Sequence, residues 1–322
     1  MPSFVAAHGI TNAHLQTLLP RLFRRKPLLS PHWQTIDTPD GDFLDLVWSE
    51  DYRQLESLTK PVFVLFHGLE GSFFSPYAHG LMNAFAKQGW LSVMMHFRGC
   101  SGRPNNLARA YHSGETGDAR QVLEYVRERC PNRPIVAAGV SLGGNMLVNY
   151  LAQYNDDPIV SGATIISAPL ELGACSQRIE RGFSRLYRNY LLSSLKNTAL
   201  LKHQKMKEAL GITAAQIKQV TRLIDFDDLI TAPLHGFRDA QDYYQRCSGL
   251  PRLSDITIPT RLIQAQDDPF MTDEIIPTFT LPKNLDYQLT EHGGHVGFIT
   301  GSWNQPQMWL EETLPQYYQE YL

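Results

Sequence analysis

The chain has 322 residues, 43% of them hydrophobic and 19% charged, which allows a large core and excludes a disordered chain. A formal net charge of −3 leaves no global basic field for nucleic acid, so no nucleic-acid partner is expected. The four cysteines, Cys100, Cys130, Cys175 and Cys247, form no C-x-x-C pair, so neither a metal site nor a disulfide scaffold is expected and a reducing compartment fits.

Residues 1–31 read as an irregular N-terminal arm. Asn12 to Thr17 looks like the start of a short helix ended by Pro20, followed by the basic cluster Arg21, Arg24, Arg25 and Lys26. The cluster reads as a solvated surface, with membrane or anion contact as the alternative. The N-terminus lacks a charged stretch followed by an apolar one, and no run of about 18 apolar residues occurs. A secretory signal and a spanning helix are therefore not expected, and a cytoplasmic location is.

Trp33–Thr38 and Phe43–Trp48 flank Pro39-Asp40-Gly41-Asp42, a hairpin signal. Pro61 to Gly68 is a continuous apolar run ending in glycine, which suits a strand buried on both faces of a parallel sheet. A helix over Tyr77–Gln88, a strand over Leu91–Phe97, a helix over Gly117–Arg129 and strands over Ile135–Ala138 and Ile159–Ser167 follow. Alternation of this kind predicts an α/β fold: a mostly parallel sheet behind an antiparallel N-terminal hairpin, with helices on both faces.

Between about residues 169 and 250 the alternation stops and the segment reads as helical. Strands over Thr260–Ala265 and Leu285–Leu289 and an amphipathic helix over about Gln305–Tyr321 complete the pattern. One domain spanning 1–322 is expected, with the helical block inserted as a lid over the carboxyl ends of the strands. Within it Ile179, Phe183, Leu186 and Tyr190 recur at helical spacing beside Arg178, Arg181, Arg185 and Arg188. This reads as a lid helix facing an acyl pocket or core, with contact to an anionic lipid surface as the sharper alternative. The run Asp225-Phe226-Asp227-Asp228 reads as capping and loop chemistry.

The most informative stretch is Gly139-Val140-Ser141-Leu142-Gly143-Gly144, set between an apolar strand and the helical pattern Asn145–Leu151. Strand, tight glycine turn and helix form the setting of a G-x-S-x-G nucleophile, with small residues such as Gly139 and Gly143 permitting the close approach. A serine nucleophile needs a base, and the base needs an orienting acid. The resumed strand ends in Gln266-Asp267-Asp268-Pro269: Asp268, before the proline, is the preferred acid and Asp267 the fallback. Thr290-Glu291-His292-Gly293-Gly294-His295 then offers His295 as the base, with His292 as a supporting or surface residue. Two histidines three apart without further ligands do not suggest a metal. The order Ser141, Asp268, His295 is that of α/β-hydrolases. The Leu142 amide is one expected oxyanion donor, and the loop beginning His67-Gly68-Leu69 should supply the second from Leu69. His67 reads as a core or turn histidine, or as a brace for that loop. Arg98 to Gly102 reads as a structural turn, and Cys100 has no matched base to make it a nucleophile.

Taken together, His67-Gly68-Leu69-Glu70-Gly71-Ser72, Phe97-Arg98-Gly99-Cys100-Ser101-Gly102, Tyr111-His112-Ser113-Gly114, the segment Gly139 to Asn145, Asp267-Asp268-Pro269-Phe270 and His292-Gly293-Gly294-His295 resemble the motif series of the YheT-like esterases. That branch of the α/β-hydrolases also holds membrane-anchored eukaryotic ABHD proteins and yeast medium-chain acyl-ester enzymes. The resemblance runs from the N-terminal arm to the C-terminal helix, and it implies Ser141 as nucleophile, Asp268 as acid and His295 as base. His96 departs from the asparagine that related sequences often carry. The spanning helix of the anchored relatives has no counterpart here, so a soluble enzyme is implied. The expected activity is hydrolysis of short- to medium-chain acyl esters, with no cofactor and a small-molecule acyl ester as partner. Acyl transfer to an alcohol, and a ligand-binding protein on a hydrolase fold, are the alternatives.

Overall fold

A computed structural model describes residues 3–54 and 57–319. Its centre is an eight-stranded sheet in the order β1-β2-β4-β3-β5-β6-β7-β8. The strands are β1 (His32–Asp37), β2 (Phe43–Trp48), β3 (Val62–Phe66), β4 (Leu91–Met95), β5 (Ile135–Val140), β6 (Gly162–Ile166), β7 (Thr260–Ala265) and β8 (Leu285–Thr290). β1 and β2 form the antiparallel hairpin and β2 runs antiparallel to β4; from β4 to β8 all neighbours are parallel.

The apolar runs of the central strands feed two cores, because successive side chains point to opposite faces. In β3, Val62, Val64 and Phe66 join one core with Val122, Val126, Met146, Leu147 and Leu151. These last residues belong to helices α3 (Gly117–Arg129) and α4 (Leu142–Gln153). Phe63 and Leu65 point the other way, toward Leu81, Phe85, Leu310 and Leu314 of α2 (Pro76–Lys87) and α12 (Trp309–Gln319). Each such aliphatic or aromatic side chain contributes about 1.5–3 kcal/mol when fully buried. The connection from β3 to β4 uses α2 on one face, and that from β4 to β5 uses α3 on the other. The chain thus parts on either side of β3, and the crevice at the carboxyl ends of β3 and β5 is where ligands bind in such sheets.

The segment between β6 and β7 contains α5 (Leu172–Arg178), α6 (Ser184–Leu201), α7 (His203–Leu210), α8 (Ala214–Gln219), α9 (Leu223–Phe226), α10 (Ala232–Leu234) and α11 (Ala240–Cys247). A core of its own, including Leu192, Ala199, Met206, Ile217, Phe226 and Ile230, holds part of it together. Asn145 of α4 ties it to the sheet. The Nδ2 of Asn145 donates to the Ser113 and Cys247 carbonyls at 3.0 and 2.8 Å, and its Oδ1 accepts from the Gly249 amide at 2.8 Å.

Four expectations need correction. The N-terminal arm is not irregular throughout: α1 runs Ala13–Phe23 with Pro20 inside it. Proline removes the bond to the Gln16 carbonyl, and the backbone of Gly297 packs so close to that oxygen that a Cβ there would lie 2.1 Å from it. The strand read over 159–167 covers only Gly162–Ile166, since Ile159 has a positive φ of 59°. The stripe Ile179, Phe183, Leu186, Tyr190 is not one helix: Gly182, at φ +56°, separates α5 from α6. The C-terminal helix begins at Trp309, not Gln305. Gln305–Met308 is instead strand β10, antiparallel to β9 (Ile299–Ser302) around a turn at Trp303 and Asn304, with Gly301 of β9 at φ +82°. The last expected position, Tyr321, lies outside the described residues.

Among the described residues no helix is long and apolar enough to cross a membrane.

Candidate active site

β5 ends at Val140 and α4 begins at Leu142, so Ser141 alone makes the turn, at φ 53° and ψ −122°. That backbone region costs a non-glycine residue about 1–3 kcal/mol and persists only where the surroundings over-determine it. Here the Ser141 amide donates to the Ile166 carbonyl at 2.8 Å, and its carbonyl accepts from the Gly144 and Asn145 amides. A Cβ at Gly139 would lie 2.4 Å from the Gly143 carbonyl oxygen, and one at Gly143 2.4 Å from that of His67. Both positions therefore require glycine, and Gly68 passes close by as well: a Cβ there would sit 3.1 Å from that of Ser141, which would have to give by a few tenths of an ångström.

Three side chains from three strand ends meet. His295 Nε2 lies 3.1 Å from Ser141 Oγ, and His295 Nδ1 lies 2.8 Å from Asp268 Oδ2. A carboxylate only accepts, so Nδ1 carries the proton and Nε2 is left to accept from the serine hydroxyl. Asp268 is 3% exposed, and its other oxygen accepts from the Phe270 amide at 2.8 Å, which fixes the carboxylate plane. The Phe270 ring stacks on the imidazole at 4.0 Å between centroids and 16° between planes. Asp267 points elsewhere: its Oδ1 accepts from the Gly294 amide at 2.9 Å, and His292 lies 3.4 Å from its Oδ2. These two residues hold the loop that carries His295, and burial raises the Asp267 carboxyl above its ordinary range.

Helix α1 is the other support of that loop. The His295 amide donates to Thr17 Oγ1 at 2.9 Å, and a Cβ at Gly294 would lie 2.4 Å from the Ala13 carbonyl oxygen. Thr17 and Phe270 were not singled out by sequence reasoning. Nothing in their local pattern marks a contact made across more than two hundred residues in one case and by ring stacking in the other.

The loop after β3 is braced from three sides. Phe97 N–H donates to His67 Nε2 at 3.0 Å, so His67 Nδ1 carries the proton and donates to the Gly68 carbonyl at 2.7 Å. Burial, with His96 nearby, pushes the His67 imidazole down to about 3, and it stays neutral. His67 is thus both a fully buried residue and a brace. The Gly68 amide donates to Tyr77 Oη at 2.9 Å and the Glu70 amide to Tyr111 Oη at 2.8 Å. Among the described residues no acceptor takes the Leu69 amide between them, or the Leu142 amide at the start of α4. Glu70 itself accepts from Tyr111 Oη at 2.8 Å and from Thr198 Oγ1 of α6 at 2.7 Å. Its carboxyl is raised, chiefly by burial. Cys100 lies 3.8 Å from the same carboxylate, and burial pushes its thiol well up, so it stays protonated. Arg98, 2% exposed, grips Asp118 through two 2.7 Å bonds and makes its segment a structural turn.

Ser141 and His295 open into a cavity of about 920 Å³. Leu172, Ile179, Leu191, Leu195, Ile230 and Tyr243 of the inserted segment line it, together with Leu69, Leu142 and Met271. Among the described residues no group of three histidine, cysteine or acidic side chains could hold a metal ion.

A family model described as alpha/beta hydrolase fold matches residues 61–302, and the chain belongs to that family. The Escherichia coli (strain K12) protein named "Putative esterase YheT" is 53% identical over 99% of this chain and 94% of its own length. Mouse "Phospholipase ABHD3" is 30% identical over 94% of this chain and 75% of its own. Among solved structures, the Pyrococcus furiosus esterase is similar at a TM-score of 0.56 and 16% identity, covering 83% of this chain and 84% of that one. The last is a likeness of fold alone.

Proposed function

We propose that the chain is a serine carboxylic-ester hydrolase acting on short- to medium-chain acyl esters. The observation that carries this reading is the relay Ser141 Oγ–His295 Nε2–Asp268, at 3.1 and 2.8 Å, opening into a cavity lined largely by apolar side chains. Similarity to the Escherichia coli esterase over nearly the whole chain supports it.

Ser141 Oγ attacks the ester carbonyl as its proton passes to His295 Nε2. Asp268 holds the imidazole in the Nδ1–H tautomer and stabilises its charged form. The tetrahedral oxyanion is taken by the Leu69 and Leu142 amides, and the N-terminus of α4 adds favourable dipole potential. The imidazolium then gives its proton to the departing alkoxide, which leaves as the alcohol. Water, deprotonated by His295, attacks the acyl-enzyme, and the acid is released as Ser141 regains its proton. The inserted helices act as a lid that keeps bulk water from the acyl chain.

A chain-length series of p-nitrophenyl esters, from acetate to decanoate, tests this on the native chain and on Ser141→Ala together. Turnover that peaks at short to medium chains and vanishes in the variant is expected; no turnover of any ester by the native chain contradicts it. Added ethanol separates hydrolysis from acyl transfer, since the acyl-enzyme is common to both and only the product partition changes.

A further inference from the structure

Helix α1 is amphipathic in an unusual sense. It buries Gln16 and Leu19 and turns Leu15, Leu18 and Leu22 outward, with Leu22 55% exposed. Those three lie at the spacing of one helix face. The outward face is continuous with other exposed apolar side chains. Leu18, Phe74, Phe183, Leu186 and Tyr190 all line the outer part of the same cavity that holds Ser141, and Phe74 and Leu186 are 63% and 58% exposed. Two contacts place α1 beside α6: the His14 and Phe183 rings are 4.3 Å apart, and the Arg21 guanidinium sits 4.6 Å over the Tyr190 ring. Isolated exposed leucines are ordinary, but a contiguous group from three segments around a cavity mouth marks an interaction site.

The charge around this group is one-sided. The chain as a whole carries more acidic than basic residues, 32 against 29. Residues 1–36 and 181–207, which supply α1 and α6, contain no aspartate or glutamate at all. Arg21, Arg24 and Arg25 line the cavity mouth, and Lys26 follows them. Glu311 pairs with Arg24 at 2.8 Å; among the described residues Arg25 and Lys26 have no carboxylate partner. Apolar side chains edged by cations, of which Arg24 has the Glu311 carboxylate and Arg25 and Lys26 have none among the described residues, match a surface that is apolar beneath and anionic on top. That is the chemistry of a bilayer rich in acidic phospholipid.

We propose that the face built by α1, Phe74 and the start of α6 docks on an anionic membrane surface and presents the cavity mouth to the lipid. Leucine and aromatic side chains enter the headgroup boundary while Arg21, Arg25 and Lys26 meet lipid phosphates. Docking is reversible, since the apolar face is short and no helix of the described residues could span a bilayer. The proposal concerns attachment and stands or falls apart from the ester chemistry.

Flotation of the full chain with vesicles tests it, using phosphatidylcholine alone and phosphatidylcholine with one-third phosphatidylglycerol. The native chain should float with the anionic vesicles, stay behind with the neutral ones, and be released as salt is raised. The double variant Leu15→Ser, Leu22→Ser should lose most of the binding. Arg25→Glu, Lys26→Glu should weaken it by roughly tenfold or more. Circular dichroism of each variant reads folding separately, and the salt series on the native chain needs no mutation. Three results would overturn the proposal. They are no flotation of folded native chain with anionic vesicles, equal flotation of folded variants, and lipid-independent dimerisation abolished by Leu15→Ser, Leu22→Ser.

Discussion

The imidazole of His67 accepts the Phe97 amide at 3.0 Å through one nitrogen and donates to its own neighbour, Gly68, at 2.7 Å through the other. One buried ring thereby joins the end of β4 to the loop that offers the Leu69 amide. Replacing it with leucine leaves the Phe97 N–H unpaired in the interior, at a cost of about 1–3 kcal/mol, while the Gly68 carbonyl keeps its bond from the Gly71 amide at 2.9 Å. His67→Leu should lower the melting temperature and reduce kcat roughly tenfold or more, as the Leu69 amide, the proposed oxyanion donor, loses its position. Thermal melts and steady-state kinetics on one ester check both.

The two neighbouring aspartates should separate cleanly. Asp268→Asn disturbs the tautomer of His295 and should cut kcat by roughly 10⁴-fold. Asp267 instead accepts the Gly294 amide, and its amide analogue keeps an acceptor there. Asp267→Asn should stay within about tenfold of the native rate. Parallel kinetics on the purified variants decide between them.

Glycine is required at Gly143 and dispensable at Gly173. A methyl at Gly143 would press on the carbonyl oxygens of His67 and Phe66 at 2.4 and 2.5 Å, both rigid backbone. At Gly173 the nearest atom to a new Cβ is 4.0 Å away on the Tyr244 side chain. Gly143→Ala should be poorly folded or inactive, while Gly173→Ala should match the native chain in yield, melting temperature and turnover.

Asp227 gives the inserted segment a pH signature. Burial raises its carboxyl to about 6 from an ordinary 3.8, against the opposing hydrogen bonds from Tyr244 and Thr231. The folded state therefore favours the protonated acid. Its contribution to stability is complete below about pH 4 and is lost as pH rises through about 6. Asparagine keeps an acceptor for Tyr244, whose hydroxyl now bonds Asp227 Oδ2 at 2.6 Å, and removes the titration. Asp227→Asn should raise the melting temperature by up to a few degrees at about pH 8, roughly half as much at about pH 5 and little at about pH 4. Melts across that range measure the difference.

Much of this architecture can be read from residue order because its signals are local. Apolar runs ending in turn residues mark the parallel strands, and Gly139 to Gly144 combines a strand end, a tight turn and a helix start within six residues. Candidate acid and base positions follow strand ends in the same way. Long-range supports are silent in the sequence. Thr17 holds the His295 amide across 278 positions, and Tyr111 reaches the Glu70 amide across 41. Pro20 looked like a helix end because its missing hydrogen bond is visible in the sequence. The close pass of Gly297 over the Gln16 carbonyl is not. Gln305–Met308 carries too few residues to distinguish a four-residue strand from the first turn of the following helix, and pairing with β9 decides it.

Mass spectrometry of the intact chain after a fluorophosphonate probe tests the nucleophile most directly. A single adduct should form on the native chain, map to the peptide bearing Ser141, and be absent from Ser141→Ala. An adduct that survives that substitution, or ester turnover by folded native chain that the probe neither labels nor inhibits, would contradict a mechanism centred on this serine.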